Sequence, residues 1–187
     1  MAADYQELSE NLTRFYDFTD KTVLYVGAGG RQLLDPTVED RKLIAIDRDP
    51  GSLMGLNIPA IVADFEDVQV HGDVVYFEFC LHEMRDPLKA LQHARALAPD
   101  TVVFDHSVGS EWIFLGAEEE LVRRSSAAMA GFSIRRRLAL HAEQRFQDHA
   151  ELFAKVRGQG SVAVERARRF EGVAGIRIPM DCELVLL

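Results

Sequence analysis

The chain has 187 residues, 48% of them hydrophobic and 27% charged, a composition that predicts a single globular domain over residues 1–187 and excludes a disordered chain. Its formal net charge of −9 disfavours nucleic acid as a partner, because the field of the whole molecule repels polyanions. Two cysteines far apart exclude a disulfide framework and favour a reducing, cytoplasmic setting, and neither a signal peptide nor a membrane span is expected.

The first predicted element is an N-terminal helix within residues 1–20, because apolar and aromatic side chains recur every three or four positions from Tyr5 to Tyr16. Short apolar runs follow, and the first three end at a glycine or an aspartate, which is typical of strands buried in a parallel sheet. The predicted strands are residues 22–26, 43–46, 60–63, 73–79 and 101–104, with a helix over 87–97.

The pattern changes after Asp105. It predicts a helix over residues 118–129, a strand over 132–140 and a final strand over 176–187 that is broken at Pro179. Between the two strands, residues 142–170 predict two helices joined at Gly158–Gly160, with one apolar stripe of Phe146, Ala150, Phe153 and Ala154. We expect this helical excursion, residues 141–172, to act as a lid.

A glycine-rich turn, Gly27-Ala28-Gly29-Gly30, follows the first strand. Glycines let the backbone approach a ligand closely, and the helix expected after the turn presents free N–H groups. A dinucleotide fingerprint needs a third glycine where Gln32 stands, so that version of the motif is incomplete. Alone, the turn fits a ligand site and a purely structural role equally.

Two aspartates end the next two strands. Asp47 follows Gly27 by 20 positions, where a carboxylate accepts hydrogen bonds from both hydroxyls of a ribose. Asp64 is placed to meet the amino group of an adenine. In the alternative interpretation each aspartate only caps the turn that follows it. The three features in order, each at the carboxyl end of a strand, favour a nucleoside site.

Four blocks of the sequence resemble the class I S-adenosylmethionine-dependent methyltransferases: Val23–Gly30, Ala45–Asp47, Ala63–Phe65 and Asp73–Met84, the last followed by Asp86-Pro87. The last block is similar to the small-molecule branch that includes ubiquinone and menaquinone biosynthesis enzymes. The resemblance covers residues 22 to about 105. It implies an α/β, Rossmann-like, doubly wound fold with a mainly parallel seven-stranded sheet and helices on both faces.

The resemblance also implies a site for S-adenosylmethionine. The cofactor's methionine part would lie on the turn, its ribose at the end of the second strand, its adenine at the end of the third, and its sulfonium above the end of the fourth. The residues implied are, in that order, Gly27, Ala28 and Gly29; Asp47 and Arg48; Asp64 and Phe65; and Phe79, Cys80 and Leu81. The chain departs from the family at Tyr25, where an acidic residue is usual, and at Arg31, which replaces the third glycine.

His82 and Glu83 follow the fourth strand, where the resemblance places the acceptor side of the pocket. His82 is the leading catalytic candidate, as a base or acceptor ligand, with Glu83 beside it. The alternative is that the pair only caps a helix or forms a salt bridge. Behind the fifth strand, Asp105, His106, Glu111 and Trp112 are predicted to form the next wall of the cleft, although Trp112 fits plain packing as well.

Two further polar groups have an ordinary alternative. His141, Arg145 and His149 recur every four residues, and on a helix they would share one side, either as a polar lining or as a solvated face; their spacing does not suit a metal, and no metal is predicted. In the run Arg135–Arg137 the first and third side chains share one face of a strand, to bind an anionic group or to protect a sheet edge.

These observations predict methyl transfer from S-adenosylmethionine to a small-molecule acceptor. A degenerate methyltransferase fold that binds a cofactor or a protein is the alternative. An NAD(P)-dependent oxidoreductase is less well supported, because Gln32 breaks the fingerprint and no Tyr-x-x-x-Lys pair occurs. Association of two copies into a homodimer is left open.

Overall fold

The structure is a computed structural model that describes residues 2–29 and 32–187. In chain order its elements are α1 (Ala2–Phe15), β1 (Thr22–Val26), β2 (Lys42–Asp47), β3 (Ala60–Val62), β4 (Val74–Glu78), α2 (Pro87–Leu97), β5 (Asp100–His106), α3 (Glu111–Gly116), α4 (Glu119–Ala130), β6 (Arg136–Asp148), α5 (His149–Val156), α6 (Ser161–Ala167) and β7 (Ala174–Leu186). Single 3₁₀ turns lie at Phe65–Asp67, Arg157–Gln159 and Arg168–Phe170.

The strands form one seven-stranded sheet in the order β3-β2-β1-β4-β5-β7-β6. β1 to β5 are parallel, whereas β7 is antiparallel to both β5 and β6. This confirms the predicted α/β fold with a mainly parallel sheet. The carboxyl ends of β1 to β5 therefore share one edge, which we call the carboxyl edge.

Alternating side chains of the central strands enter two apolar clusters, one on each face of the sheet. On one face Tyr25, Tyr76 and Phe104 pack with α1, α3, α5 and α6. On the other face Phe77 and Val103 pack with α2 and the end of α4. Helices thus cover both faces, as predicted. No helix among the described residues is long and apolar enough to cross a membrane.

The prediction of a helix after the glycine turn is wrong. Residues 32–41 form turns instead, and Gly30 and Arg31 lie outside the described residues. The local reason is Asp35-Pro36: the Asp35 carboxylate accepts hydrogen bonds from the backbone N–H of Thr37 at 2.8 Å and from its hydroxyl at 2.7 Å, which closes a turn rather than a helix.

The predicted helix over residues 142–148 is also wrong, because β6 continues to Asp148 in register with β7. α5 begins at His149, where the Asp148 carboxylate accepts from the Glu151 N–H at 3.0 Å. The apolar stripe predicted from Phe146 to Ala154 therefore does not exist as one helical face. His141 and Arg145 lie on β6 and only His149 lies on a helix.

β7 is continuous through Pro179, which the sequence predicted to break it. Pro179 pairs with Glu143 of β6, and β5 joins β7 only from Cys182 onward, so a residue without an N–H is tolerated there. The hairpin residues 141–148 and 174–181 consequently extend past the carboxyl end of β5. We call this extension, together with α3, α5 and α6 on its apolar face, the cap.

Candidate functional site

A cleft of about 320 Å³ lies at the carboxyl edge, between the ends of β1 to β4. This volume is at the lower end of the range of roughly 300–1,000 Å³ for small-molecule pockets. The predicted site residues that line it are Gly27, Asp47, Arg48, Asp64, Phe65, Cys80 and Glu83. The structure therefore brings together residues from four separate strand ends.

The first glycine of the turn has a packing reason of its own. Gly27 has a φ of +74°, and a Cβ atom there would lie 2.7 Å from both Cβ and Sγ of Cys80 and 2.9 Å from the backbone oxygen of Glu78. At Gly29 a Cβ would lie 2.5 Å from Cβ of Ser52 and 3.0 Å from Oδ2 of Asp47. The missing Cβ lets the end of β4 approach Gly27, which lines the cleft, and lets the side chains of Ser52 and Asp47 approach Gly29, which does not line it.

The two strand-end aspartates differ. Oδ1 of Asp47 accepts from the Asp49 N–H at 2.9 Å, so this carboxylate closes its own turn while it lines the cleft. Asp64 precedes the 3₁₀ turn at Phe65–Asp67, and its side chain makes no cap hydrogen bond. The capping interpretation thus fits Asp47 in part and does not fit Asp64.

The wall of the cleft beyond the end of β3 is apolar. Phe65 is buried and packs edge-on against Phe77, with ring centroids 5.1 Å apart, and against His93 at 5.3 Å. Arg48 is exposed at the mouth. The lining as a whole is acidic, with five carboxylates and two guanidinium groups, so the cleft favours a cationic ligand.

Several predicted cofactor residues do not line the cleft. Ala28 and Leu81 are fully buried in the apolar clusters of the two faces. Phe79 turns to the other side, where its ring lies 4.9 Å from Phe104 and 4.8 Å from His106. Of the segment 79–81, only Cys80 faces the cleft.

His82 and Glu83 are adjacent in sequence but face different surroundings. Glu83 is exposed and lines the cleft, whereas His82 is 2% exposed. The His82 ring lies with Nδ1 2.5 Å from Oδ1 of Asp105, and the His82 backbone N–H donates to Oδ2 of Asp105 at 2.9 Å. The carboxylate thereby fixes both the position and the orientation of the imidazole.

Asp105, His82, His106 and Glu118 form a buried polar cluster at the ends of β4 and β5. The His106 N–H donates to Asp105 at 2.8 Å, and the two histidine rings lie 5.3 Å apart. Nε2 of His82 lies 4.0 Å from Oε2 of Glu118. The other oxygen of Glu118 accepts from Nε2 of Gln159 at 3.0 Å, which links the cluster to the cap.

The two histidines of this cluster have opposite pKa shifts. Burial lowers the pKa of His82, but the nearby carboxylate of Asp105, with Glu83 and Glu118, outweighs burial and raises that pKa above its usual value. Burial lowers the pKa of His106 to about 4. One imidazole is thus suited to hold a proton near neutral pH, while its neighbour stays neutral.

Other residues predicted near the cleft have structural roles. Trp112 is 5% exposed and stacks on Phe146 at 5.9 Å, so it packs inside the cap. Glu111 forms an ion pair with Arg169 at 2.5 Å. His141 is largely exposed and pairs with Asp181 at 2.6 Å. None of these side chains lines the cleft.

The arginine run also contacts the protein itself. Arg135 pairs with Asp100 at 2.6 Å and Arg137 with Glu183 at 3.2 Å, and Arg136 donates to the backbone oxygen of Phe15 at 2.9 Å. These contacts tie the edge strand to its neighbours. In the part of the chain that the structure describes, no group of His, Cys, Asp or Glu side chains is placed to hold a metal ion.

Sequence reasoning missed Glu78. This side chain is 5% exposed, and its carboxylate accepts from the hydroxyls of Tyr25 at 2.6 Å and Tyr76 at 2.8 Å and from the Leu33 N–H at 3.1 Å. The available signal was a glutamate inside an otherwise apolar predicted strand, since a buried carboxylate needs dedicated donors.

No protein-family model matches the chain, and no curated protein matches it. Solved structures do. The YcgJ protein from Bacillus subtilis covers 96% of this chain over 97% of its own, with a TM-score of 0.65 and 14% identity. A candidate methyltransferase from Bacillus halodurans C-125 covers 97% of this chain over 96% of its own, with a TM-score of 0.63 and 11% identity.

A third structure contains a bound product. The plantazolicin methyltransferase BpumL, in complex with S-adenosylhomocysteine, covers 97% of this chain over 82% of its own, with a TM-score of 0.53 and 14% identity. Identities this low establish the fold and not the activity. The chain shares the α/β fold of these structures, two of which are named as methyltransferases.

Proposed function

We propose that the protein transfers a methyl group from S-adenosylmethionine to a small-molecule acceptor. The observation that carries this proposal is the cleft at the carboxyl edge, which collects Gly27, Asp47, Asp64 and Phe65 from three successive strand ends. In open α/β sheets ligands bind at this edge. The methyltransferase structures with the same fold add support.

The residues of the cleft fit an adenosyl ligand. Asp47 would hold the ribose, Asp64 and Phe65 the adenine, and the backbone at Gly27 and Gly29 the methionine part. S-adenosylmethionine, when bound, supplies an activated methyl group on a positively charged sulfur. The acidic lining favours such a cation and disfavours the anionic pyrophosphate of a nicotinamide dinucleotide.

The acceptor side of this proposal rests on the buried polar cluster. Methyl transfer requires alignment of the acceptor and, for a hydroxyl or protonated amine, removal of a proton. Asp105 orients His82 and raises its pKa, which makes the neutral form of the imidazole a stronger base. We therefore assign the neutral form of His82 as the base. His82 does not line the cleft, and its access to an acceptor requires movement of Glu118 or of the cap.

The alternative, a fold that binds the cofactor or a partner without chemistry, is favoured by that same burial of His82. In its cofactor-binding form it differs from the main proposal in turnover alone, whereas in its partner-binding form it also lacks cofactor binding. Acceptor specificity, including any role of the cap as a cover over the acceptor, belongs to the main proposal only.

The deciding experiment is calorimetric titration of the protein with S-adenosylmethionine, S-adenosylhomocysteine and NADH in parallel. Binding of both adenosyl ligands without NADH is the expected result, and it justifies a search for the acceptor with labelled methyl groups. Binding of NADH alone, or of none of the three, contradicts the proposal. Adenosyl binding with no methyl transfer across a broad acceptor set favours the binding module.

A further inference from the structure

Glu78 lies next to the start of the glycine turn. β1 and β4 pair in parallel, with Tyr25 opposite Tyr76 and Val26 opposite Phe77. The next residue on each strand is therefore Gly27 on one side and Glu78 on the other. A Cβ atom on Gly27 would lie 2.9 Å from the backbone oxygen of Glu78, which shows how closely the turn is seated on the end of β4.

The carboxylate of Glu78 ties three segments together. It accepts from Tyr25 of β1 and Tyr76 of β4, and both of its oxygens lie 3.1 Å from the backbone nitrogen of Leu33. Leu33 belongs to the segment that returns from the glycine turn, and both it and Leu34 are buried. The turn is thus held by strand pairing before it and by one carboxylate after it.

These donors are all neutral, so among the residues that the structure describes hydrogen bonds compensate the charge of Glu78. Burial raises the pKa of Glu78, and the hydrogen bonds from Tyr25, Tyr76 and the Leu33 and Leu34 backbone lower it, for a result of about 7. The titratable groups that face it are Tyr25 from β1, Tyr76 from β4 and Cys80 just beyond β4. Tyr25, Tyr76 and Cys80 have raised pKa values and stay uncharged at neutral pH.

We propose that Glu78 is the positioning residue of the glycine turn. The methyltransferases that the sequence resembles carry an acidic residue two positions before the first glycine, where this chain has Tyr25. Glu78, on β4, takes the place of that acidic residue. The Tyr25 side chain occupies the position of the family's acidic residue, and its hydroxyl donates a hydrogen bond to the carboxylate of Glu78. This inference rests on the proposed function, because it assigns Glu78 to the methionine end of the cofactor.

The proposal has a pH-dependent consequence. The ionised carboxylate accepts the Leu33 N–H with both oxygens and adds a negative charge at the end of the site proposed for the amino-acid part of the ligand, where it favours the α-ammonium group. The protonated form has lost that charge and one accepting position. We therefore expect affinity for S-adenosylhomocysteine to rise as pH rises through the pKa of Glu78.

The test measures the dissociation constant of S-adenosylhomocysteine by calorimetry from pH 5.5 to 8.5 in the wild type and in Glu78→Gln. The wild type should bind about tenfold more tightly at the upper end, equivalent to one pKa unit of coupling. Glu78→Gln should bind about tenfold more weakly than the wild type at pH 8 and show a flat profile. The matched control is Glu66→Gln, another carboxylate at the cleft, whose affinity should still rise about tenfold over this pH range.

A double variant, Tyr25→Glu with Glu78→Gln, returns the carboxylate to β1. Once cooperative unfolding has shown that this variant is folded, it should recover most of the affinity lost at pH 8. The inference is overturned if Glu78→Gln keeps the wild-type slope, even with weaker binding at every pH, since the carboxylate would then be only structural.

A readout without ligand separates this inference from the proposed function. Amide exchange at Leu33 should become faster, relative to the intrinsic rate, as pH falls through 7 in the wild type, and should not change in this way in Glu78→Gln. If no adenosyl ligand binds the wild type, the proposed function fails. Identical Leu33 protection in both proteins then overturns the role of Glu78 as well.

Discussion

Two parts of the molecule, the cleft half (residues 22–106) and the cap, are built on different principles. In the first, short parallel strands end at the carboxyl edge, and residues at or just beyond the ends of β1 to β4 line the cleft, as Asp47 and Asp64 do. In the cap, position depends on distant contacts: Gln159 reaches Glu118, and β6 is held by β7. The positions of side chains therefore follow from nearby sequence in the cleft half and from distant contacts in the cap.

The largest effect should come from Gly27, the residue of the cleft half that has the closest contacts with Cys80 and Glu78. Gly27→Ala places a Cβ 2.7 Å from Cys80 on a backbone with φ of +74°, and strain plus overpacking should lower the free energy of unfolding by about 4 kcal/mol. Urea unfolding measures it. Gly55→Ala is the control, because its φ is +84° with open space around the Cβ, and it should cost about 1 kcal/mol. Equal losses would refute the packing argument.

The cap should respond to a single core truncation. Leu152→Ala empties a fully buried position on α5 and should cost about 3 kcal/mol. Its neighbour Phe153 is 38% exposed, so Phe153→Ala should cost less than about 1 kcal/mol. Thermal unfolding of both variants compares them. A similar loss for the two would mean that α5 does not pack on the sheet as described.

The buried polar cluster should make stability depend on pH. The pKa of folded His82 is raised, so its contribution is complete below its unfolded pKa and is lost as pH rises through the folded value. Asp105→Asn removes the main charge that raises this pKa and should lower stability by about 2 kcal/mol at pH 6, with a smaller loss at pH 8.

The difference between variant and wild type isolates this effect, because the carboxyl group of Glu78 also has a raised pKa and contributes in the same direction. Chemical unfolding across pH, with the His82 ring resonances followed by NMR, checks it. If the pKa of His82 is unchanged in Asp105→Asn, the carboxylate of Asp105 is not what raises it, and the described contact between the two side chains is contradicted.

The smallest effect should be on ligand affinity. Asp47→Ala should weaken S-adenosylhomocysteine binding by about 1–2 kcal/mol, since the ribose hydroxyls lose an acceptor. Asp35→Ala is a control of similar local chemistry, because Asp35 closes a turn outside the cleft. Calorimetry compares the affinities of the two variants. Equal affinities would contradict the assignment of Asp47 to the ribose.

The strands and cleft residues of the cleft half could be predicted because a strand, a turn and an acidic residue recur within a few positions of each other. The cap could not. Residues 142–148 consist largely of good helix formers such as Ala142, Glu143 and Gln144, yet pairing with β7 overrides that preference. The partners of Glu78 and His82 were likewise hidden, because hydrogen bonds between strands are decided by register and not by neighbouring sequence.

The position of β7 has a consequence for assembly. β6 precedes it in the chain but has no neighbour in the sheet other than β7, so the sheet cannot grow in the order of the sequence. Residues 136–148 must wait until the segment beyond α5 and α6 has closed the loop and supplied an edge. Until then the hydrogen-bonding groups of this strand stay open on both sides. In pulsed amide exchange, Leu138 should gain protection no earlier than its partner in register, Leu184.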